Sequence, residues 1–173
     1  MEERVNEEKP SLLEEVWDSP LGGAYLIWRF VSGYAGGRAP GPNALLLYPA
    51  MALVLDASFA TQICGGDDNL ADFAFAFHDS SGKAAKSLAG LQDRIVGLRE
   101  WTLKSLEFAM VTRLVELNPE TGEVIPVLKK EVSESSKLAR DFKDNEGLKA
   151  ENLGGIFART KDVDIAYYLG VKF

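Results

Sequence analysis

The clearest change of hydrophobic period along the chain lies between Arg99 and Leu128. In the first half of this stretch, apolar residues recur at spacings of three and four, which predicts a helix. The residues of this stripe are Leu103, Leu106, Met110 and Leu114. Trp101, Phe108 and Val111 widen the stripe, so we expect the helix to be buried on most of its sides and to be central to the fold.

A reversing turn is predicted directly after this helix. From Leu114 the hydrophobic period shortens toward two, and the turn residues Asn-Pro-Glu-Thr-Gly follow at 118–122. Pro119 suits the first central position because its φ is fixed, and Gly122 accepts a positive φ. The pattern predicts that 114–117 and 123–128 pair as a short antiparallel ribbon. A winged helix-turn-helix ends in this way, and an ordinary helix and hairpin in an α+β domain is the alternative.

Two apolar segments precede this unit, separated by a loop. Residues 21–34 predict a buried helix whose aromatic side chains pack in the core. Residues 35–42 are dense in Gly and Pro, which predicts a loop. The apolar run 44–55 is a core element that is either strand or helix, and Pro49 favours a helix from that residue onward.

Two further helices are predicted before the central one. The first begins at an N-cap, Asp67 or Asp68, and runs through His78. One face of this helix carries Leu70, Phe73, Ala74 and Phe77. The second spans 84–98 and is expected to break near Gly97. The order helix, turn, helix, helix and ribbon favours the winged-helix interpretation over the α+β alternative.

Past the ribbon, the pattern changes from charged to apolar. Residues 129–150 mix both charges densely, which is typical of a solvated helix or loop. An apolar stripe of Leu153, Ile156 and Phe157 returns within 152–159. Gly154 and Gly155 lie inside that stripe and cost about 1 kcal/mol each relative to alanine, so close packing of two helices is the plausible compensation.

The chain is predicted to end in a short helix, 165–169. Asp162 or Asp164 is expected to cap its start, and Gly170 to stop it. The fold class is therefore mostly α (α+β): a winged helix-turn-helix-like helical domain with one short β-hairpin over residues 19–173, preceded by an acidic segment at 1–18.

Composition places most of the charge outside this domain. The chain has 173 residues, 46% of them hydrophobic, which suffices for a single core. Seven acids and two basic residues give 1–18 a charge of −5, so only −2 of the total −7 remains for the body. Such a body has no electrostatic footprint for nucleic acid, whose binding depends on Lys and Arg. A modest patch is still conceivable from Arg94, Arg99, Lys104, Arg113, Lys129 and Lys130.

The sequence offers little for catalysis or a cofactor. Cys64 and His78 are the only residues of their types, and a buried thiol and a helix-end histidine are the commoner explanations for them. No phosphate-binding Gly-x-x-x-x-Gly-Lys motif occurs. We expect neither an enzyme nor a cofactor. The longest apolar run has twelve residues and there is no signal peptide, so a soluble, cytoplasmic protein with no membrane contact is expected.

The chain contains the stretches ALLLYPAMALVL at 44–55 and LGGIFARTKDVDIAYYLGVKF at 153–173. These two stretches resemble a known family, the middle component of bacterial three-component ABC ATPase systems of the Lamassu-like defence type. The resemblance implies a non-enzymatic accessory subunit that bridges an SMC- or Rad50-like ABC ATPase and an effector subunit in anti-phage defence. DNA would then be met only through the complex.

The resemblance also directs attention to aromatic residues near the C-terminus as interface anchors, because aromatic side chains dominate binding hot spots. The candidates are Phe157, Tyr167, Tyr168 and Phe173. Burial in the chain's own core is the alternative for all four. Two other functions stay open at this point: a DNA-binding winged-helix regulator, and an enzyme that uses Cys64 or His78.

Overall fold

The structure is a computed structural model that describes residues 19–38, 40–60, 63, 69–78, 89–127 and 145–172. Within these ranges the chain forms six α-helices and one two-stranded antiparallel ribbon. The helices are α1 (Pro20–Gly37), α2 (Leu47–Val54), α3 (Leu70–His78), α4 (Leu91–Val111), α5 (Asn145–Ala158) and α6 (Asp162–Leu169), and the strands are β1 (Val115–Leu117) and β2 (Val124–Pro126). This confirms the prediction of a mostly helical fold with one hairpin. The winged-helix assignment stays a prediction, and the acidic segment 1–18 lies outside the described residues.

The centre of the fold is α1. The Ser19 side chain accepts a hydrogen bond from the Gly22 N–H, and Pro20 stands at the start of the helix, where its missing N–H costs nothing. Helices α2, α4 and α5 and strand β2 all pack against α1. Its buried residues are Gly22, Gly23, Ala24, Leu26, Ile27, Trp28, Phe30, Val31 and Tyr34. The predicted buried helix is therefore confirmed.

The end of α1 lies three residues beyond the predicted one. The helix continues through Gly36 and Gly37, and the Arg38 N–H bonds to the Tyr34 carbonyl oxygen at 2.8 Å. The Arg38 side chain is bonded to Asp162 at the start of α6. This tertiary contact holds the last turn in place, so the loop begins only at Arg38.

Helix α4 is longer and more exposed than predicted. It runs for 21 residues and passes Gly97 without a break. Ile95 and Leu98 pack against the core on either side of that glycine. Leu103, Phe108 and Val111 are exposed, so the prediction of burial on most sides was wrong. Phe108 and Val111, which widen the stripe, are exposed, whereas Trp101 packs against the core, and α1 takes the central position instead.

The apolar run around Pro49 forms a helix. A 3₁₀ turn, Ala44–Leu46, leads into α2, whose first turn contains Pro49. This position is compatible with proline because the first N–H groups of a helix have no intrahelical partner. Seven of the eight α2 residues are buried, and α2 packs against α4 and α5. The preference for helix over strand is confirmed.

The hairpin follows the predicted chemistry. Val115 pairs with Pro126 and Leu117 with Val124. Gly122 has a φ of 72°, and its N–H bonds to the Asn118 carbonyl oxygen at 2.8 Å. Directly before β2, Glu123 forms an isolated antiparallel bridge with Asn43. The ribbon is thus confirmed, with shorter strands than predicted.

Helices α3 and α5 complete the core. Leu70, Phe73 and Ala74 are buried, and the Phe59 and Phe73 rings stack at 5.9 Å. The proposed caps Asp67 and Asp68, and the Phe77 side chain, lie outside the described residues. In α5, Lys149 and Ala150 are buried, which corrects the prediction that the charged segment up to residue 150 is solvated.

Candidate functional site

The structure separates the four aromatic interface candidates. Phe157 is fully buried, and its ring meets the Phe30 ring edge-on at 5.5 Å, so it belongs to the core and its assignment as a surface anchor is corrected. Phe173 lies outside the described residues. Tyr167 and Tyr168 are adjacent on α6, and their ring centroids are 5.7 Å apart. Only this pair remains as a described surface candidate.

Helix α6 has one face in the core and one in solvent. Ile165 and Leu169 are buried, whereas Val163 and Tyr167 are 81% and 82% exposed. Val163 and Tyr167 are four residues apart and therefore neighbours on the helix surface. Tyr168 is partly buried and packs against the core at the edge of this face. We call Val163, Tyr167 and Tyr168 the α6 surface.

The start of α6 is fixed to α1 by a polar cluster. The Tyr34 hydroxyl and the Arg38 guanidinium each donate to the same Asp162 carboxylate oxygen at 3.4 Å. Arg38 also donates to the Thr160 carbonyl oxygen at 3.5 Å. Burial raises the pKa of Tyr34, and the negative charge of Asp162 raises it further. The cluster sets the direction in which α6 leaves the preceding turn.

The predicted cap of α6 was wrong in detail. Lys161 is the N-cap residue and makes no side-chain cap bond, while Asp162 and Asp164 lie in the first helical turn. Acidic side chains in that turn interact favourably with the positive end of the helix dipole. From this position inside the first turn, the Asp162 carboxylate accepts hydrogen bonds from Tyr34 and Arg38.

The end of α6 is fixed to α4. Gly170 closes the helix with a φ of 65°, as predicted, and Val171 returns to the core. The Lys172 N–H then donates to the Gln92 side chain at 2.9 Å. Since both ends are held, the α6 surface is presented on a fixed element, and a partner that binds it loses little entropy in ordering it.

Sequence reasoning missed two exposed apolar residues, one on α6 and one on the helix that packs against it. Val163 was not proposed, although its spacing of four from Tyr167 and its offset from the buried residues Ile165 and Leu169 contained the signal. Phe75 is 68% exposed on α3, the helix that packs against α6. Phe75 lies off the predicted apolar face that begins with Leu70, Phe73 and Ala74, so the same spacing contained the signal for its exposure.

The candidate DNA-contacting residues do not share a face of α4. Arg94, Arg99 and Lys104 are five residues apart, so each step turns about 140° around the helix. Arg94 forms an ion pair with Asp56 at 2.6 Å, and Lys104 pairs with Glu100 at 2.7 Å. Arg99 and Arg113 are exposed, Arg113 just beyond the end of α4. Lys129 and Lys130 lie outside the described residues.

The described residues contain no cluster of three or more His, Cys, Asp or Glu side chains that would hold a metal ion. Cys64 and the side chain of His78 lie outside the part of the chain that the structure describes. Among the described helices, none is both long and apolar enough to cross a membrane.

A comparison with known protein families decides which family this chain represents. The family model described as ABC-three component (ABC-3C) system Middle Component 3 matches residues 8–173. The chain belongs to this family. No curated protein and no solved structure matches it. As a Middle Component 3 protein it is one component of a three-component ABC system, and it therefore has partner subunits.

Proposed function

We propose that this Middle Component 3 protein is a non-enzymatic bridging subunit that joins an SMC- or Rad50-like ABC ATPase to an effector subunit. The complex would act in the cytoplasm in anti-phage defence, and the chain would meet DNA only through the complex. Membership in a three-component ABC system supports the existence of partner subunits. The α6 surface supports the docking of one of them.

The single observation that carries the proposal is the exposure of Val163 and Tyr167, both above 80%, on a helix that is fixed at both ends. Exposed apolar residues that lie together mark protein interaction sites more often than isolated ones do. Tyrosine is enriched in hot spots, where truncation to alanine costs 2 kcal/mol or more, roughly a thirtyfold change in affinity. A partner that covers the α6 surface would gain this contribution without first ordering the helix.

Co-purification of the three subunits tests the proposal. The chain is co-expressed with its two system partners, the ATPase is tagged, and the amount of chain retained is measured for the wild type and for the double variant Val163→Ser/Tyr167→Ala. We expect retention of the wild type and a loss of at least tenfold for the variant. Leu45→Ser is the matched control, because Leu45 is exposed at 51% on a 3₁₀ turn remote in sequence.

Three results would overturn the proposal. The first is failure of the wild-type chain to co-purify with either partner. The second is salt-sensitive binding of duplex DNA by the purified chain alone, weakened by substitution of Arg99 and Arg113 to alanine, which would favour the winged-helix regulator instead. The third is turnover by the chain alone, abolished by Cys64→Ser, which would favour an enzyme.

A further inference from the structure

A second surface lies on the outward side of α4. Val96, Leu103 and Met110 are spaced by seven residues, a spacing that keeps side chains on one stripe with a drift of about 20° per repeat. Val96 is 65% and Leu103 45% exposed, and Met110 is partly buried at the end of the stripe. From residue 96 to residue 110 the stripe extends about 21 Å along the helix. We call these three residues the α4 seam.

An acidic row runs parallel to the α4 seam. Asp93, Glu100 and Glu107 repeat with the same spacing of seven, and each stands three residues before a seam residue. Residues three apart are neighbours on a helix surface, so each acid flanks one apolar side chain. All three acids are exposed. Lys104 pairs with Glu100 at 2.7 Å and holds the pKa of that carboxyl below its ordinary value through a direct hydrogen bond, so the chain itself partly neutralises this member of the row.

The opposite side of α4 is already used by the fold. Leu91, Thr102, Ser105, Leu106 and Ala109 are buried, and α4 packs there against α1 and α2. Val96 and Leu103 therefore lie outside the core of this chain, whereas Met110 packs against the core at the end of the seam. An apolar stripe with a period of seven, flanked by charge, is the pattern that one helix presents to another in coiled-coil packing.

We propose that the α4 seam binds an amphipathic helix of a partner subunit, one with an apolar stripe flanked by Lys or Arg. The spacing of the seam favours a helix as the partner element. Asp93 and Glu107 favour Lys or Arg on the side of that helix that faces them, since complementary potentials select the partner and its register. Arg99 lies on the other side of the seam, three residues after Val96 and four before Leu103. A second copy of α4 fits less well, because it carries the same acidic row. The inference rests on the proposed bridging role and adds a second contact, distinct from the α6 surface.

Photo-crosslinking in the assembled three-subunit complex tests which segment of a partner subunit contacts the α4 seam. A photoreactive benzophenone amino acid replaces Val96 or Leu103, and the crosslinked peptides are identified by mass spectrometry, with position 45 as control. We expect both positions to crosslink to one segment of a partner subunit that has apolar residues at spacings of three and four and flanking Lys or Arg. Crosslinks to a second copy of the chain, to nucleic acid or to an acidic segment would overturn the proposal, as would no crosslink from either position.

Charge reversal tests the recognition itself. The double variant Asp93→Lys/Glu107→Lys is expected to weaken binding of the tagged partner at least tenfold, because it places positive charge against positive charge. Glu116→Lys/Glu120→Lys is the matched control, since it adds the same charge on the exposed side of the hairpin. If the wild type co-purifies with its partners but the double variant binds equally well, the α4 proposal fails while the bridging role stands. If the wild type does not co-purify, the bridging role fails.

Discussion

Gly33 of α1 and Gly154 of α5 lie at one helix contact, each against the backbone of the other helix. A Cβ atom on Gly33 would lie 2.0 Å from the Glu151 carbonyl oxygen, and a Cβ on Gly154 would lie 2.1 Å from the Phe30 carbonyl oxygen. No side chain fits at either position unless the helix backbones separate. The edge-on contact of Phe30 with Phe157 depends on this close approach.

Replacement of Gly154 by alanine is therefore expected to destabilise the protein. The added methyl group must displace backbone atoms, and overpacking of this kind costs about 1–3 kcal/mol. Gly155→Ala is the matched control, because its Cβ would meet only the Arg159 Nη1 atom at 3.8 Å. This variant is expected to gain up to about 1 kcal/mol from helix propensity. Urea unfolding of both variants checks the prediction, which fails if Gly154→Ala is as stable as Gly155→Ala.

The buried Lys149 provides a second test of how α5 is held. Lys149 is only 4% exposed, and its ammonium group donates to the Val54 carbonyl oxygen at 2.8 Å and pairs with Glu146 at 2.5 Å. Lys149→Met would leave that carbonyl and carboxylate without their donor, at a cost of about 1–3 kcal/mol. Lys104→Met, which breaks the exposed pair with Glu100, is expected to leave the thermal unfolding midpoint unchanged. Equal midpoints for the two variants would contradict this account of Lys149.

These contacts show which parts of the fold the sequence predicts. Apolar spacing located α1, α2 and the hairpin, and the glycine pair at 154–155 indicated close packing, which the structure confirms for Gly154 but not for Gly155. The burial of Lys149 was not predictable, because it depends on a carbonyl 95 residues away in sequence. Spacing identifies the apolar face of a helix, whereas the availability of a partner group depends on tertiary structure.

The same limit applies to the candidate surface. Phe157 and Tyr167 are both aromatic residues near the C-terminus, yet one is fully buried and the other 82% exposed. The apolar stripe of Leu153, Ile156 and Phe157 already favoured burial of Phe157 in the chain's own core. Leu103 and Phe108 on α4 were expected to be covered, because a wide apolar stripe does not distinguish the chain's own core from the surface of a partner.

A strained residue closes α4 and offers a third prediction. Arg113 has a φ of 58°, and the Leu114 N–H bonds to the Ala109 carbonyl oxygen at 2.9 Å, a helix ending that usually carries glycine at the position of Arg113. Arg113→Gly is expected to stabilise the protein by about 0.5–1 kcal/mol, since glycine adopts a positive φ without a Cβ clash. Thr112→Gly, at a φ of −82°, should destabilise it. Thermal unfolding separates the two, and a loss of stability in Arg113→Gly would show that its side chain makes a compensating contact.

Alkaline pH should weaken the attachment of α6 through Tyr34. Burial first, and then the charge of Asp162, raise the pKa of Tyr34 above 10.0, its ordinary value in an unfolded chain. The folded state thus holds the phenol proton more tightly than the unfolded state does, so the contribution of this group is complete below pH 10.0 and is lost as the pH rises through the folded-state value.

The free energy of unfolding of the wild type should therefore fall more steeply above pH 10.0 than that of Tyr34→Phe, which has no proton to lose at this site. Urea unfolding between about pH 8 and pH 11 measures both slopes across the range in which tyrosine titrates. Tyr167→Phe is the control, because it removes a tyrosine hydroxyl from the exposed side of α6 and not from the contact with α1. Parallel curves for the wild type and Tyr34→Phe would mean that the Tyr34 proton does not help to hold α6 against α1.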